Sequence, residues 1–271
     1  MPTMDSTAFK LLLREKDFAH YTVETYSYAV RDFMERYGTL NRQELSAYRT
    51  FLIDNYKPST VNLRILSMNK YLDAVGLRKL QMKTIKMPKE SFLDRIISME
   101  DYRRFKEALR NEPDRRWYFV VWFLAATGAR ISELVRFKVE DVRAGYIDIL
   151  SKGGRMRRLF LPEVLRQEAS EWLEEEGRLD GYLFLNAHHV PLTSRGISLR
   201  LKEYARKHGV DPGLVHPHAF RHLFAKSFLE KNSDIALLAD LMGHNSIETT
   251  RIYLQQSSRE QGRMVNRIVD W

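Results

Sequence analysis

Apolar side chains recur every three or four positions along most of this chain, the period of a helix with one buried face. Val23, Tyr26, Ala29, Val30 and Phe33 share such a face, so the spacing predicts a helix over 22–33, capped by Thr22 and closed near Gly38. A second helix is predicted over 42–55, starting near Asn41, and a third from Pro58 through Val61, Ile65, Met68 and Leu72 to Gly76. Residues 81–91 hold Pro88, several lysines and little periodicity. The helical pattern resumes at Phe92, with a start at Ser98 and a core face of Tyr102, Phe105 and Leu109. Residues 117–127 are strongly apolar and predict a buried central helix; Gly128 ends it, and an amphipathic helix carrying Arg130, Glu133 and Leu134 follows.

The period shortens to two only briefly. Residues 146–150 and 156–161 predict two short strands joined by Ser151-Lys152-Gly153-Gly154-Arg155, with Pro162 ending the second and a further short strand at 182–185. Helices are predicted over 163–176, 194–208, 218–231 and 234–242. Gly243 serves as a C-cap, and Ser246 caps a last helix carrying Tyr253. The expected fold is mainly α with a small antiparallel β-sheet in the second of two domains. Those domains are a helical unit at 1–80, a basic linker at 81–91 and a second unit at 92–271.

Composition narrows the partner more than the fold. A hydrophobic content of 44% over 271 residues is enough for real cores, and no apolar run approaches the ~20 residues of a membrane span. With zero cysteines and no secretory layout at residues 1–10, the expected location is the cytoplasm. A net charge of +9 points to a polyanionic partner. Arg78, Lys79, Lys83, Lys86 and Lys89 lie in a stretch without Asp or Glu. It reads either as a solvated linker or as a basic strap across phosphates. Arg31, Lys57, Arg64 and Lys70, on the polar faces of the first helices, either meet DNA or keep the unit soluble.

The chemistry sits later. Arg130, Lys152, His218, Arg221, His244 and Tyr253 follow one another as cationic or hydrogen-bonding groups plus one phenol. Such a set suits phosphodiester cleavage by an oxygen nucleophile without metal or cofactor. Guanidinium forks match phosphate oxygens bidentately, and losing one preorganised donor typically costs ~3–4 kcal/mol of transition-state stabilisation. Each residue alone has a plainer reading. Arg130 with Glu133 makes an i,i+3 helical ion pair, His244 caps a helix end, and Tyr253 is a packed aromatic between Ile252 and Leu254. His216, His218 and His222 read as a metal cluster only weakly, for want of a carboxylate pattern. Joint order and spacing favour the chemical reading.

Four segments carry a resemblance: Ala-Thr-Gly-Ala-Arg-Ile-Ser-Glu-Leu, His-Pro-His-Ala-Phe-Arg-His-Leu-Phe-Ala, Leu-Met-Gly-His-Asn-Ser-Ile-Glu-Thr-Thr and Arg-Ile-Tyr. They resemble the catalytic boxes of the tyrosine recombinase (phage integrase) family from about Phe92 onward, and more loosely the family's helical core-binding domain before it. The resemblance implies that Tyr253 is the nucleophile and that Arg130 and Arg221 bind the scissile phosphate. Lys152 would be the general acid, His218 and His244 would complete the pocket, and Glu133 would support Arg130. His216 stands where many relatives carry Thr or Ser.

The implied activity is site-specific recombination of double-stranded DNA through a 3′-phosphotyrosyl bond, serving integration, excision or dimer resolution. It implies a two-domain DNA clamp, inverted half-sites, a homo-tetramer on DNA, room for accessory proteins, and no membrane. The early start of the helices leaves no room for a further arm-site domain, which favours a compact Xer-like, integron-like or transposon-type enzyme. Met264, Val265, Ile268, Val269 and Trp271 form an apolar tail face that packs on its own domain or on a neighbouring protomer. The rivals are a type IB topoisomerase-like nicking and resealing enzyme and a catalytically silent DNA-binding regulator.

Overall fold

The computed structural model describes residues 5–87, 97–150, 156–244, 246–254, 265, 266 and 269. The chain divides into two compact units, Met1–Lys89 and Glu90–Trp271. Lys89, Lys152, Arg155 and, from the tail, Met264, Ile268 and Trp271 lie outside the described residues; Val265 and Val269 are exposed.

The first unit is built from α1 (Ser6–Glu15), α2 (His20–Arg36), α3 (Arg42–Asn55) and α4 (Pro58–Ala74), followed by a 3-10 turn at Arg78–Leu80. Its core gathers the apolar faces read from the sequence, including Val30, Phe33, Tyr48, Ile65 and Leu72. Helix α1 went unread because it sends only Phe9 and Leu13 inward, too few to register a period; Phe9 meets Tyr71 edge-on at 5.2 Å. Helix α2 begins at His20, before the expected cap at Thr22, because its first two residues, His20 and Tyr21, are exposed and add nothing to the buried face that starts at Val23. Asn41 caps α3 as expected, accepting the Glu44 N–H at 2.9 Å.

Residues 81–87 are bound to α4. Asn69 pairs with both backbone groups of Met82, at 2.8 Å each, and Asn62 does the same to Ile85 at 2.8 and 2.9 Å. Asn62 and Asn69 stand two helical turns apart, about 10.5 Å at a helix's rise, while three extended residues span about 10 Å. Two amides seven apart on a helix therefore match two backbone units three apart on an extended segment. Met82 and Ile85 turn inward onto the core, and Lys83 and Lys86 are exposed.

The second unit contains α5 (Met99–Arg110), α6 (Arg116–Thr127), α7 (Ile131–Leu134), α8 (Val139–Ala144), β1 (Tyr146–Leu150) and β2 (Met156–Phe160). It continues with α9 (Glu163–Glu175), α10 (Ser194–Lys207), α11 (Pro217–Lys231), α12 (Ile235–Met242) and α13 (Ile247–Arg251), then a 3-10 turn at Ile252–Leu254. Helix α6 is the central buried helix, with Phe119 stacked on Trp172 at 4.6 Å, and α11 packs along it. The strands pair antiparallel, Ile147 opposite Leu159 and Ile149 opposite Arg157. The fold is thus mainly α with a small antiparallel sheet. Residues 182–185 do not form the expected strand. Tyr182 bridges to Lys138 and Leu185 to Pro191, so the segment divides its backbone bonds between two partners. No helix among the described residues is long and apolar enough to cross a membrane.

Candidate active site

The site is built where α6, α11 and α12 end or begin. Helix α6 stops at Gly128, whose φ of +63° is the left-handed conformation favoured at a helix C-cap. A Cβ there would stand 2.5 Å from the Phe224 ring of α11, so the turn requires glycine twice over. Two residues later Arg130 occupies the N-cap of α7, rather than a position inside a helix as expected, because the chain is extended there (φ −71°, ψ 148°).

Glu133, in the first turn of α7, reaches back to the Arg130 N–H at 2.7 Å and pairs with the Arg130 guanidinium at 3.0 Å. The oxygen that accepts the Arg130 N–H, Oε2, also takes Arg157 of β2 at 2.7 Å. Burial alone would raise the Glu133 carboxyl; the Arg130 N–H and the Arg157 guanidinium outweigh it and hold the group below the ordinary carboxylate value.

Helix α11 opens with His216 as N-cap, its Nδ1 accepting the Ala219 N–H at 3.1 Å, and Pro217 in the first helical position. A Thr or Ser at that position would accept the same bond. His218 stands exposed in the first turn; partial desolvation and then the charges of Arg221 and Arg130 lower its pKa. Arg221, one turn on, is 4% exposed and donates to Gly128 O at 2.6 Å and Met242 O at 2.7 Å. Burial pushes its pKa down to about 10, with the nearby Arg130 adding to the effect.

Helix α12 ends at Gly243 (φ +62°), and His244 follows. Its Nε2 lies 3.0 Å from Arg221 Nη2 and its Nδ1 2.8 Å from Thr250 Oγ1. Arginine only donates, so Nε2 accepts and the ring proton sits on Nδ1, facing Thr250. Ser246 caps α13 as expected. Tyr253, in the 3-10 turn beyond it, is 7% exposed, with its ring stacked 6.3 Å from that of His244 and tilted 5.3 Å from that of His222. Its phenol lies near enough to Arg221 and Arg130 to feel their charges. Burial raises the phenol pKa, against the lowering effect of Arg221 and Arg130.

Arg130, Arg221, His244 and Tyr253 are thus brought together within one chain, with His218 close enough to feel the charges of both arginines. Three arginines face one carboxylate, so the site carries excess positive charge suited to an anionic phosphodiester. Three further residues at the site were given no part in it by the sequence. Thr250, fully buried, accepts the Nδ1 proton of His244. His222 packs beside Tyr253 with its Nδ1 buried and unpartnered, and burial pushes its pKa down to about 4. Arg157 had a legible signal, a charge on the inward side of β2, two residues before Leu159. Among the described residues no group of His, Asp and Glu could hold a metal ion.

The expected DNA contacts divide. Lys57, Lys79, Lys83 and Lys86 are exposed. Arg31 is exposed with Glu35 at 3.9 Å, and Arg78 is exposed and paired with Asp73. Lys70 lies over the Phe18 ring at 5.6 Å. Arg64 departs from the expected exposed face. Its side chain is 11% exposed, bonded to the buried Asp32 at 2.6 Å and flanked by the Tyr56 and Tyr28 rings at 4.3 and 5.0 Å. A buried carboxylate needs a cation, and Arg64 supplies it.

The sequence pattern described as the phage integrase family matches residues 95–260. Tyrosine recombinase XerA of Pyrococcus furiosus is 29% identical over 255 residues, covering 91% of this chain and 87% of the relative. Tyrosine recombinase XerC of Staphylococcus epidermidis is 25% identical over 282 residues, covering 96% and 95%. The fold is shared with XerH site-specific recombinase bound to difH substrate, at a TM-score of 0.73 and 18% identity, covering 96% of this chain and 83% of that one. With that pattern spanning more than half its length and enclosing Arg130, Arg221, His244 and Tyr253, the chain belongs to the phage integrase family of tyrosine recombinases.

Proposed function

We propose that this protein is a site-specific DNA recombinase that breaks and rejoins strands by transesterification. The Tyr253 oxygen attacks the scissile phosphorus, a 3′-phosphotyrosyl bond forms, and the bond to the 5′ oxygen breaks. Lys152 gives that leaving oxygen a proton. The freed 5′ hydroxyl of a partner strand then attacks the phosphotyrosyl phosphorus and releases Tyr253, so the backbone is rejoined with no net consumption of bond energy. Arg130 and Arg221 hold the non-bridging oxygens, while His218 and His244 complete the pocket. The observation that carries this reading is the gathering in one chain of buried Arg221, bonded to His244, with buried Tyr253, whose ring is stacked 6.3 Å from that of His244.

The substrate is double-stranded DNA with inverted half-sites, and the working form is a homo-tetramer on that DNA. The net charge of +9 and the exposed Lys57, Lys79, Lys83 and Lys86 support a DNA partner, as does the DNA bound to the related XerH structure. The test uses a half-site recovered by selection from random-sequence duplexes, nicked so that cleavage traps the intermediate. The protein should form a covalent adduct with this duplex, and Tyr253→Phe should bind it within about two-fold of wild type with no adduct. An adduct at normal yield from Tyr253→Phe would show another nucleophile. A plasmid carrying two such sites should yield recombinants; topoisomers alone would replace recombination with nicking and resealing.

A further inference from the structure

Three arginines from three elements hold the carboxyl end of α12. The last carbonyls of a helix have no internal donor, and the helix dipole makes that end favourable for cations. Arg157 Nε donates to Leu241 O at 3.1 Å, Arg221 Nη2 to Met242 O at 2.7 Å and Arg130 Nη2 to Gly243 O at 3.2 Å. Two of the three already have a part in the proposed reaction. Arg157 does not, yet its side chain is only 7% exposed.

Its position explains the burial. Arg157 lies on the inward side of β2 and spans from the Leu241 carbonyl to Glu133, the carboxylate that also holds Arg130. It packs flat against the following turn, since a Cβ on Gly243 would come within 2.5 Å of Nη1 and 2.7 Å of Cδ. Sheet, α7 and α12 are therefore joined through one guanidinium. The Arg157 and Arg130 pairs share one carboxylate between two cations, which leaves part of the Arg130 charge for a phosphate. Without Arg157, Glu133 would neutralise Arg130 alone and lose one of the bonds that fix its orientation.

We propose that Arg157 is a positioning residue for strand cleavage, holding Glu133 and the end of α12 so that Arg130 and His244 present to the scissile phosphate. This rests on the reading of Arg130 as a phosphate ligand. The experiment compares single-turnover cleavage of the selected, nicked duplex with that of the same duplex carrying a methylphosphonate at the scissile position. The methylphosphonate is neutral and asks less of a positively charged pocket. Arg157→Gln should bind the ordinary duplex within about two-fold of wild type and cleave it up to about 100-fold more slowly, the scale of a small misplacement of reacting groups. On the methylphosphonate its deficit should shrink to about three-fold or less. Arg157→Lys, which keeps the cation, should recover most of the rate on the ordinary duplex.

Wild-type cleavage by Arg157→Gln, or equal deficits on both duplexes, would overturn the proposal. Should thermal melting show that Arg157→Gln does not fold, the same pair of duplexes is run with Arg157→Lys. Any deficit it shows must then narrow on the methylphosphonate, and a rate equal to wild type on both duplexes supports the cation's sufficiency. Arg130→Gln, run alongside, tells two failures apart. No narrowing for Arg130→Gln overturns the role given to Arg130 and the inference with it. Narrowing for Arg130→Gln but not for the Arg157 variant overturns the inference alone.

Discussion

His244 is bonded at both ring nitrogens, and its partners decide its charge. Arg221 occupies Nε2 as a donor, so protonating the ring would break that bond and place a cation beside Arg221 and Arg130. Desolvation and those charges push its pKa from the ordinary 6.5 down to about 4, and His222 reaches a similar value chiefly through burial. An unfolded chain takes up protons on these residues below pH 6.5 while the folded chain does not. Stability therefore rises with pH across the window from about 4 to 6.5 and is lost on acidification through it. The slope is at most about 1.4 kcal/mol per pH unit for each histidine, reduced by the solvent access both keep. Melting temperature should fall steadily from pH 6.5 to 5, above the range where most carboxylates titrate. A melting temperature that is flat or rises on acidification over that interval would contradict the neutral ring assigned to His244.

At the scale of elements, the strap at 81–87 and the turn after α12 show how local pattern and long-range fit differ. The lysines of the strap stood out in the sequence, but the two asparagines that fix it did not, because Asn62 and Asn69 have no role in the apolar face of α4. Removing one strands a backbone N–H and C=O that are partly buried, at about 1–2 kcal/mol. Asn69→Ala should lower unfolding stability by that amount and speed tryptic cutting after Lys83 in the native protein. Unchanged cutting would mean the amide contacts do not hold the strap. The glycines, in contrast, were legible. Gly243 and Gly128 were placed at helix ends from sequence alone, since the left-handed C-cap is a local demand.

At the scale of the whole molecule, each unit is organised around its own core, and the chain carries nine more positive than negative charges. Much of the arginine charge is spent internally. Arg64 is bound to Asp32, Arg158 to Asp148 and Arg157 to Glu133, so under the proposed function the attraction to DNA falls to the exposed lysines of the first unit and the cationic site of the second. Affinity for the selected duplex should fall steeply with salt, with a log–log slope of about −0.9 for each phosphate neutralised. Fluorescence anisotropy across a salt series measures it. A slope near zero would remove the electrostatic basis of DNA binding.

By itself the sequence determined the helical periods, caps such as Asn41, Ser246, Gly128 and Gly243 though not the start of α2, the brief change to strand alternation, and the ordered set from Arg130 to Tyr253. All of these are set by neighbours a few positions apart or by short motifs. Only the tertiary structure decided that Arg157 serves Glu133 and Leu241, that Thr250 orients His244, that Arg64 turns inward, and that residues 182–185 split their pairing. Most of those contacts join residues far apart in the chain, such as Arg157 and Leu241 at a separation of 84, or Arg221 and Gly128 at 93. Such contacts depend on how helix ends meet once the cores have packed, and no local spacing in the chain records that geometry.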